Sequence, residues 1–98
     1  MEPLALNELT AIKSMVLRWK ETYLRDAPPE GGGEFLVEEF QEEITSYVVP
    51  YVRRLYETNY LTEEEVREFL GSCYLQVEEL QNSMKEMEHS WLRIADNG

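Results

Sequence analysis

Apolar residues between Val66 and Ile94 recur at alternating intervals of four and three positions. The stripe consists of Val66, Leu70, Cys73, Val77, Leu80, Met84, Met87, Trp91 and Ile94. This spacing over four heptads is typical of one long helix that packs along its whole length. The helix would run about 45 Å, whereas a globule of this chain length has a radius of gyration of about 13 Å. We therefore expect its end to project or to be covered by a second chain.

A second apolar stripe predicts helix 1 over about residues 8–25, with Asn7 as its N-cap. The members of that stripe are Leu9, Ile12, Val16, Trp19 and Tyr23. Residues 26–33 contain two prolines and three glycines, which end the helix and predict a flexible connection. Helix 1 is then free to dock on its own chain or on another.

Helix 2 is predicted over about residues 34–58. Its apolar stripe comprises Leu36, Val37, Phe40, Ile44, Tyr47, Val48, Tyr51, Val52 and Leu55. Pro50 lies inside this stripe and removes one backbone hydrogen bond there. Because the stripe continues in phase past Pro50, we expect one helix that is kinked at the proline rather than two helices.

The start of helix 3 has the sequence of a capping box. In Thr62-Glu63-Glu64-Glu65, the hydroxyl of Thr62 and the carboxylate of Glu65 can each satisfy the other residue's backbone amide. Helix 3 is predicted from there to about residue 94. The short turn before it makes helices 2 and 3 an antiparallel hairpin.

These elements predict a single all-α domain over residues 1–98, with an N-terminal helix on a long antiparallel helical hairpin. Helix 3 is apolar on nearly every side near residue 70, and its far end carries Met and Trp, which are enriched in interfaces. We expect a homodimer in which two hairpins form a dimeric helical bundle. The interface candidates are Phe69, Tyr74, Leu75, Met84, Met87, Trp91 and Leu92.

The net charge of −11 lies entirely after residue 26, because residues 1–26 hold four acids and four bases. Such a surface repels phosphate groups, which argues against nucleic acid binding. It favours a basic protein partner or a divalent cation, or it serves solubility alone. A single cysteine, no secretory signal pattern and no apolar run of membrane-spanning length lead us to expect a cytoplasmic protein that does not enter a membrane.

Glutamates in helix 2 form an EExxE pattern through Glu38, Glu39 and Glu42. The pattern resembles the first acidic motif of the all-α nucleoside triphosphate pyrophosphatases of the MazG type, in which carboxylates hold magnesium at a triphosphate. That family has an ExxD motif on a later helix, where this chain has Glu65 and Glu68. The resemblance implies a magnesium site and nucleotide hydrolysis, and the alternative is a solvated acidic helix face.

Two other groups of residues invite a functional interpretation. Glu86 and His89 form an ExxH pattern like that of di-iron helices, although the stripe turns both residues away from the core. Several aromatic residues around Pro50 line a pocket at the kink or pack in the core: Trp19, Tyr47, Tyr51, Tyr56, Tyr60 and Tyr74.

No nucleophile, base and oxyanion donors converge in the pattern of the sequence. The leading prediction is therefore a small acidic helical interaction or regulatory module without catalytic activity or cofactor, which binds a protein partner or itself. The alternative is a magnesium-dependent enzyme that uses the helix-2 glutamates.

Overall fold

Three helical segments make up the part of the chain that the computed structural model describes, residues 1–97. Helix α1 is Pro3–Asp26, and α4 is Glu63–Asn97. The middle segment comprises α2 (Glu34–Glu43), a π turn (Ile44–Val48) and α3 (Val49–Glu57). No strand occurs among the described residues, which confirms the predicted all-α class.

Helix α1 begins at Pro3, earlier than the predicted start after Asn7. Proline suits the first helical turn because it has no backbone amide to leave unpaired there. The buried face of α1 consists of Ala5, Leu9, Ile12 and Val16. At its edge, the Lys13 and Lys20 ammonium groups donate to the Ser72 carbonyl at 3.4 Å and to the Gln76 side chain at 2.7 Å. Helix α1 therefore docks on α4 of its own chain.

The π turn keeps an unusual apolar pattern in the core. The fully buried residues of the middle segment recur every four positions, at Phe40, Ile44, Val48 and Val52. In a regular α-helix of 3.6 residues per turn, such a row would rotate by about 40° at each step. The wider π turn, closed by the Val49 amide donating to the Ile44 carbonyl, compensates for this rotation and turns Tyr47 outward. The sequence stripe had placed Tyr47 and Tyr51 inside, but both are exposed.

The turn between α3 and α4 is fixed by hydrogen bonds at both helix ends. Asn59 has a φ of 67°, and the amides of Asn59 and Tyr60 donate to the carbonyls of Tyr56 and Leu55. This pattern is a Schellman motif with an asparagine in the left-handed position. The predicted capping box follows it: the Thr62 amide lies 2.9 Å from Glu65 Oε1, and the Glu65 amide lies 3.1 Å from Thr62 Oγ1.

The proline- and glycine-containing segment before α2 packs against α4. Gly33 is buried, and a Cβ atom there would collide with Met84 Cε. Gly31 has a φ of 106°, and a Cβ atom there would lie 2.9 Å from the Glu88 carboxylate. The segment thus connects α1 to α2 and also covers α4 at the level of residues 84–88.

Helix α4 extends beyond the other helices. The last fully buried residue of α4 is Leu80, and residues 89–96 are all exposed. The described chain measures 58 × 20 × 19 Å, and its radius of gyration of 16.5 Å exceeds the value of about 13 Å for a compact globule of this length. None of the helices within residues 1–97 has the length and apolar character needed to cross a bilayer.

Candidate functional site: the projecting end of α4

The end of α4, residues 84–96, is called the α4 tip below. Within it, Trp91 is 42% exposed, Leu92 44% and Ile94 72%. Met84 and Met87 are half-buried, and the Met84 side chain contacts the segment around Gly33. Of the interface residues predicted here, Trp91 and Leu92 are thus exposed on the described chain, while Met84 is partly covered by it.

The apolar face of the α4 tip continues the face that forms the core. Cys73, Val77 and Leu80 lie on the same heptad stripe and are buried under the other helices. Met87, Trp91 and Ile94 follow them in register, and the stripe passes from half-buried at Met87 to exposed at Trp91 and Ile94. The exposed part of the apolar stripe is rimmed by polar residues.

The α4 tip is nearly neutral in a strongly acidic protein. Lys85 and Arg93 almost balance the charges of Glu86, Glu88 and Asp96. On a helix of 3.6 residues per turn, Lys85, His89 and Arg93 lie on the side opposite Trp91. Among residues 84–96, Glu88 is the one charged residue that flanks the apolar side, so this side is less acidic than α2 and the start of α4.

The remaining interface candidates lie near the middle of α4. Phe69 and Tyr74 are half-buried and pack against the core, and the Tyr74 hydroxyl lies 2.8 Å from Thr45 Oγ1. Leu75 points outward and is 48% exposed. Phe69 and Tyr74 are therefore partly used within the chain, whereas Leu75 is an isolated apolar residue on the surface.

The glutamates predicted to bind magnesium lie on two separate parts of the molecule. Glu38, Glu39 and Glu42 are exposed on α2. The bond between Thr45 and Tyr74 places α2 at the level of Tyr74 and beyond, whereas Glu65 and Glu68 precede Tyr74 by nine and six residues, about 14 and 9 Å along α4. No cluster of three or more His, Cys, Asp or Glu residues suited to a metal ion occurs among the described residues.

Glu65 already has a structural role in the capping box. The hydrogen bond from the backbone amide of Thr62 lowers the pKa of the Glu65 carboxyl below its ordinary value. Cys73 is a buried free thiol, and burial raises its pKa, which disfavours the reactive thiolate. Glu65 thus caps the start of α4, and Cys73 packs in the core, as the capping box and the apolar stripe predict.

A groove lies between α1 and the middle segment. Its largely apolar part lies beside Tyr47 and Tyr51 and is lined by Glu8, Ala11, Ile12, Met15 and Val48. Its acidic part lies on the other side of Tyr47 and is lined by Tyr23, Glu39, Glu42, Glu43 and Ser46. We call the two parts together the Tyr47 groove. The sequence placed Tyr47 and Tyr51 at a pocket or in the core, but it did not indicate that α1 forms the other wall.

Hydrogen bonds join the two walls of the Tyr47 groove to each other. The Tyr51 hydroxyl donates to Glu8 Oε2 at 2.5 Å, and this bond raises the pKa of Tyr51. At the other end, the Tyr23 hydroxyl donates to the Glu43 carboxylate. Burial raises the pKa of the Glu43 carboxyl. These two bonds join α1 to the middle segment at both ends of the groove.

Comparison with models of known protein families, with curated proteins and with solved structures finds no significant match. The functional proposal therefore depends on the residues and on their geometry.

Proposed function

We propose that the protein is a small acidic helical interaction or regulatory module with no catalytic activity of its own. The exposed apolar stripe of the α4 tip is the observation that carries this proposal. Burying a large apolar side chain yields about 1.5–3 kcal/mol. Ile94, which is 72% exposed, gains little of this within its own chain, and Trp91, which is 42% exposed, gains only part of it. A protein partner that covers them supplies the missing packing.

A second copy of the chain is the favoured partner, in a dimeric helical bundle. Because Met87 and Trp91 occupy successive stripe positions, two antiparallel α4 tips bring Met87 of one copy opposite Trp91 of the other. The near-neutral charge of the tip supports this arrangement in a protein whose net charge is −11. The proposal includes a kink at Pro50, a cytoplasmic location, and no binding to nucleic acid or membranes.

Light scattering behind a sizing column tests this proposal on three proteins. The wild type and the control Leu75→Glu are expected to have about twice the chain mass of 11.6 kDa. Trp91→Glu is expected to have the mass of a single chain, because a carboxylate would be buried at the contact. A wild type that stays monomeric would contradict self-association. If a photoreactive residue at position 91 also captured no protein in cells, the interaction role itself would fail.

The alternative, a magnesium-dependent enzyme acting on nucleoside triphosphates, stays a prediction based on the acidic α2 face. It expects magnesium together with a nucleoside triphosphate to raise the melting temperature. It also expects pyrophosphate release that Glu39→Gln abolishes while the fold is kept. Unchanged melting with every nucleotide would exclude it.

A further inference from the structure

The Tyr47 groove runs along the side of α1 that faces away from α4. Lys13 and Lys20 contact α4 on one side of α1, whereas Ala11 and Met15 line the groove on the other. Contacts of α1 with the middle segment run from Glu8 opposite Tyr51 to Tyr23 opposite Glu43. The two walls are thus antiparallel helical segments that lie side by side over about 22 Å, the length of 15 helical residues. The contact between the Trp19 and Tyr47 rings separates the apolar part of the groove from its acidic part.

The two ends of the groove differ in charge. Glu39, Glu42 and Glu43 line the end beside Tyr23 without a base among the lining residues. At the opposite end, Glu8 is the one acidic residue among the described residues that line the groove. The middle is apolar, and Tyr47 stands over it with 67% of its surface exposed. The groove therefore has an apolar floor, one end with three carboxylates and one end with the single carboxylate of Glu8.

We propose that the Tyr47 groove binds an amphipathic helix of another protein, with a stripe of large apolar residues on the floor and lysines or arginines at the end near Glu39 and Glu42. A helix lying in the groove would become a fourth helix packed on α1 and the middle segment. This mode of recognition places apolar residues at i, i+3, i+4 and i+7 in a hydrophobic groove. The charge of the acidic end fixes the direction of the bound helix and speeds its association.

A second copy's α4 tip does not match this groove. The positions that flank its apolar stripe are Ser83, Glu88, Ser90 and Ala95, and none is a base. Its lysine, histidine and arginine lie on the opposite side of the helix, away from Trp91. The occupant is therefore a helix from a different, basic protein. This inference extends the proposed interaction role to a second surface, one that does not involve the tip.

Fluorescence anisotropy with three labelled synthetic helical peptides of about 15 residues tests the proposal. The first peptide has a leucine stripe flanked by lysines toward one end. The second has glutamates in place of the lysines, and the third has alanines in place of the leucines. The wild type is expected to bind the first peptide at least about tenfold more tightly than either of the others. Equal binding of the first and third would mean unspecific attraction to an acidic surface and would overturn the proposal.

Variants of the protein test whether the first peptide binds in the groove. Ala11→Arg fills the floor and is expected to weaken binding by at least about tenfold. Ser14→Arg, an exposed position on the same helix outside the groove lining, is expected to leave it unchanged. Glu39→Gln combined with Glu42→Gln is expected to weaken binding and to reduce its salt dependence. Circular dichroism melts confirm that each variant folds.

The Trp91→Glu variant separates this inference from the role of the α4 tip. It is expected to bind the first peptide as tightly as the wild type. If Trp91→Glu abolished binding while Ala11→Arg did not, the tip would be the binding site. The groove proposal would then be overturned, and the interaction role of the tip would stand.

Discussion

The rings of Trp19 and Tyr47 meet across the contact between α1 and the π turn, with centroids 6.5 Å apart and planes inclined at 59°. Trp19 is half-buried, Tyr47 is largely exposed, and the next residue, Val48, is 1% exposed. At the π turn, Val48 thus belongs to the core, whereas its neighbour Tyr47 packs on Trp19 at the surface.

Substitutions of Tyr47 and Val48 test which of these two adjacent residues contributes to the core. Val48→Ala is expected to lower the free energy of unfolding by about 2 kcal/mol, because it leaves a cavity in the core. Tyr47→Ala is expected to lower it by less than about 1 kcal/mol, because most of that side chain is in water. Urea unfolding followed by circular dichroism measures both. Equal losses would contradict the outward position of Tyr47.

Two glycine-to-alanine substitutions are expected to act in opposite directions. Gly31→Ala forces a Cβ into the left-handed region and toward Glu88, which should destabilise the fold by about 1–2 kcal/mol. Gly71 lies within α4, and no atom lies within 4 Å of a Cβ placed there. Gly71→Ala should therefore stabilise by about 0.5–1 kcal/mol. Thermal melts of the two variants show whether each one is stabilised or destabilised. A destabilised Gly71→Ala would show that α4 is packed at that position.

The capping box makes stability depend on pH in the acidic range. The pKa of Glu65 is lowered in the folded state, so its contribution is present above its ordinary value of 4.5 and is lost as the pH falls through the folded pKa. Glu65→Gln is expected to be less stable than the wild type at neutral pH, and the difference should shrink below pH 4.5. Thr62→Ala is expected to cost about 1 kcal/mol. A difference between Glu65→Gln and wild type that stayed constant with pH would rule out this contribution.

The bond between Tyr51 and Glu8 makes a matching prediction at alkaline pH. The pKa of Tyr51 is raised above its ordinary value of 10.0, so the bond stabilises the fold below that pH and is lost as the pH rises through the folded pKa. Absorbance titration should show one tyrosine that ionises later than in the Glu8→Gln variant. Tyr51→Phe should remove that late step. Identical titrations of wild type and Glu8→Gln would show that α1 and α3 are not joined there.

Local chemistry in the sequence was enough to predict the helical class, the capping box and the long α4. Thr62 and Glu65 signal a helix start by themselves, and a 4-3 stripe needs no tertiary information. The π turn was missed because a row at every fourth residue, from Phe40 to Val52, blends with the neighbouring apolar residues into an ordinary helical stripe. The outward position of Tyr47 can be recognised only once α1 is docked against the middle segment.

The α4 tip could be predicted from a local sequence pattern, whereas the Tyr47 groove could not. Trp91 and Leu92 were predicted because Met and Trp at the end of an overlong stripe suggest an interface. The Tyr47 groove joins residues from two helices that are separated by the segment of prolines and glycines. The angle at which α1 docks determines that groove, and no local pattern encodes that angle.

Quenching of Trp91 fluorescence by acrylamide tests the central claim most directly. The chain has two tryptophans, so Trp19→Phe leaves Trp91 as the only one. We expect quenching to be strong in dilute protein, and we expect it to fall, with a shift of emission to shorter wavelength, as the concentration rises and the α4 tips associate. If the quenching of Trp91 stayed the same at every concentration, the α4 tip would not be the surface through which the protein associates.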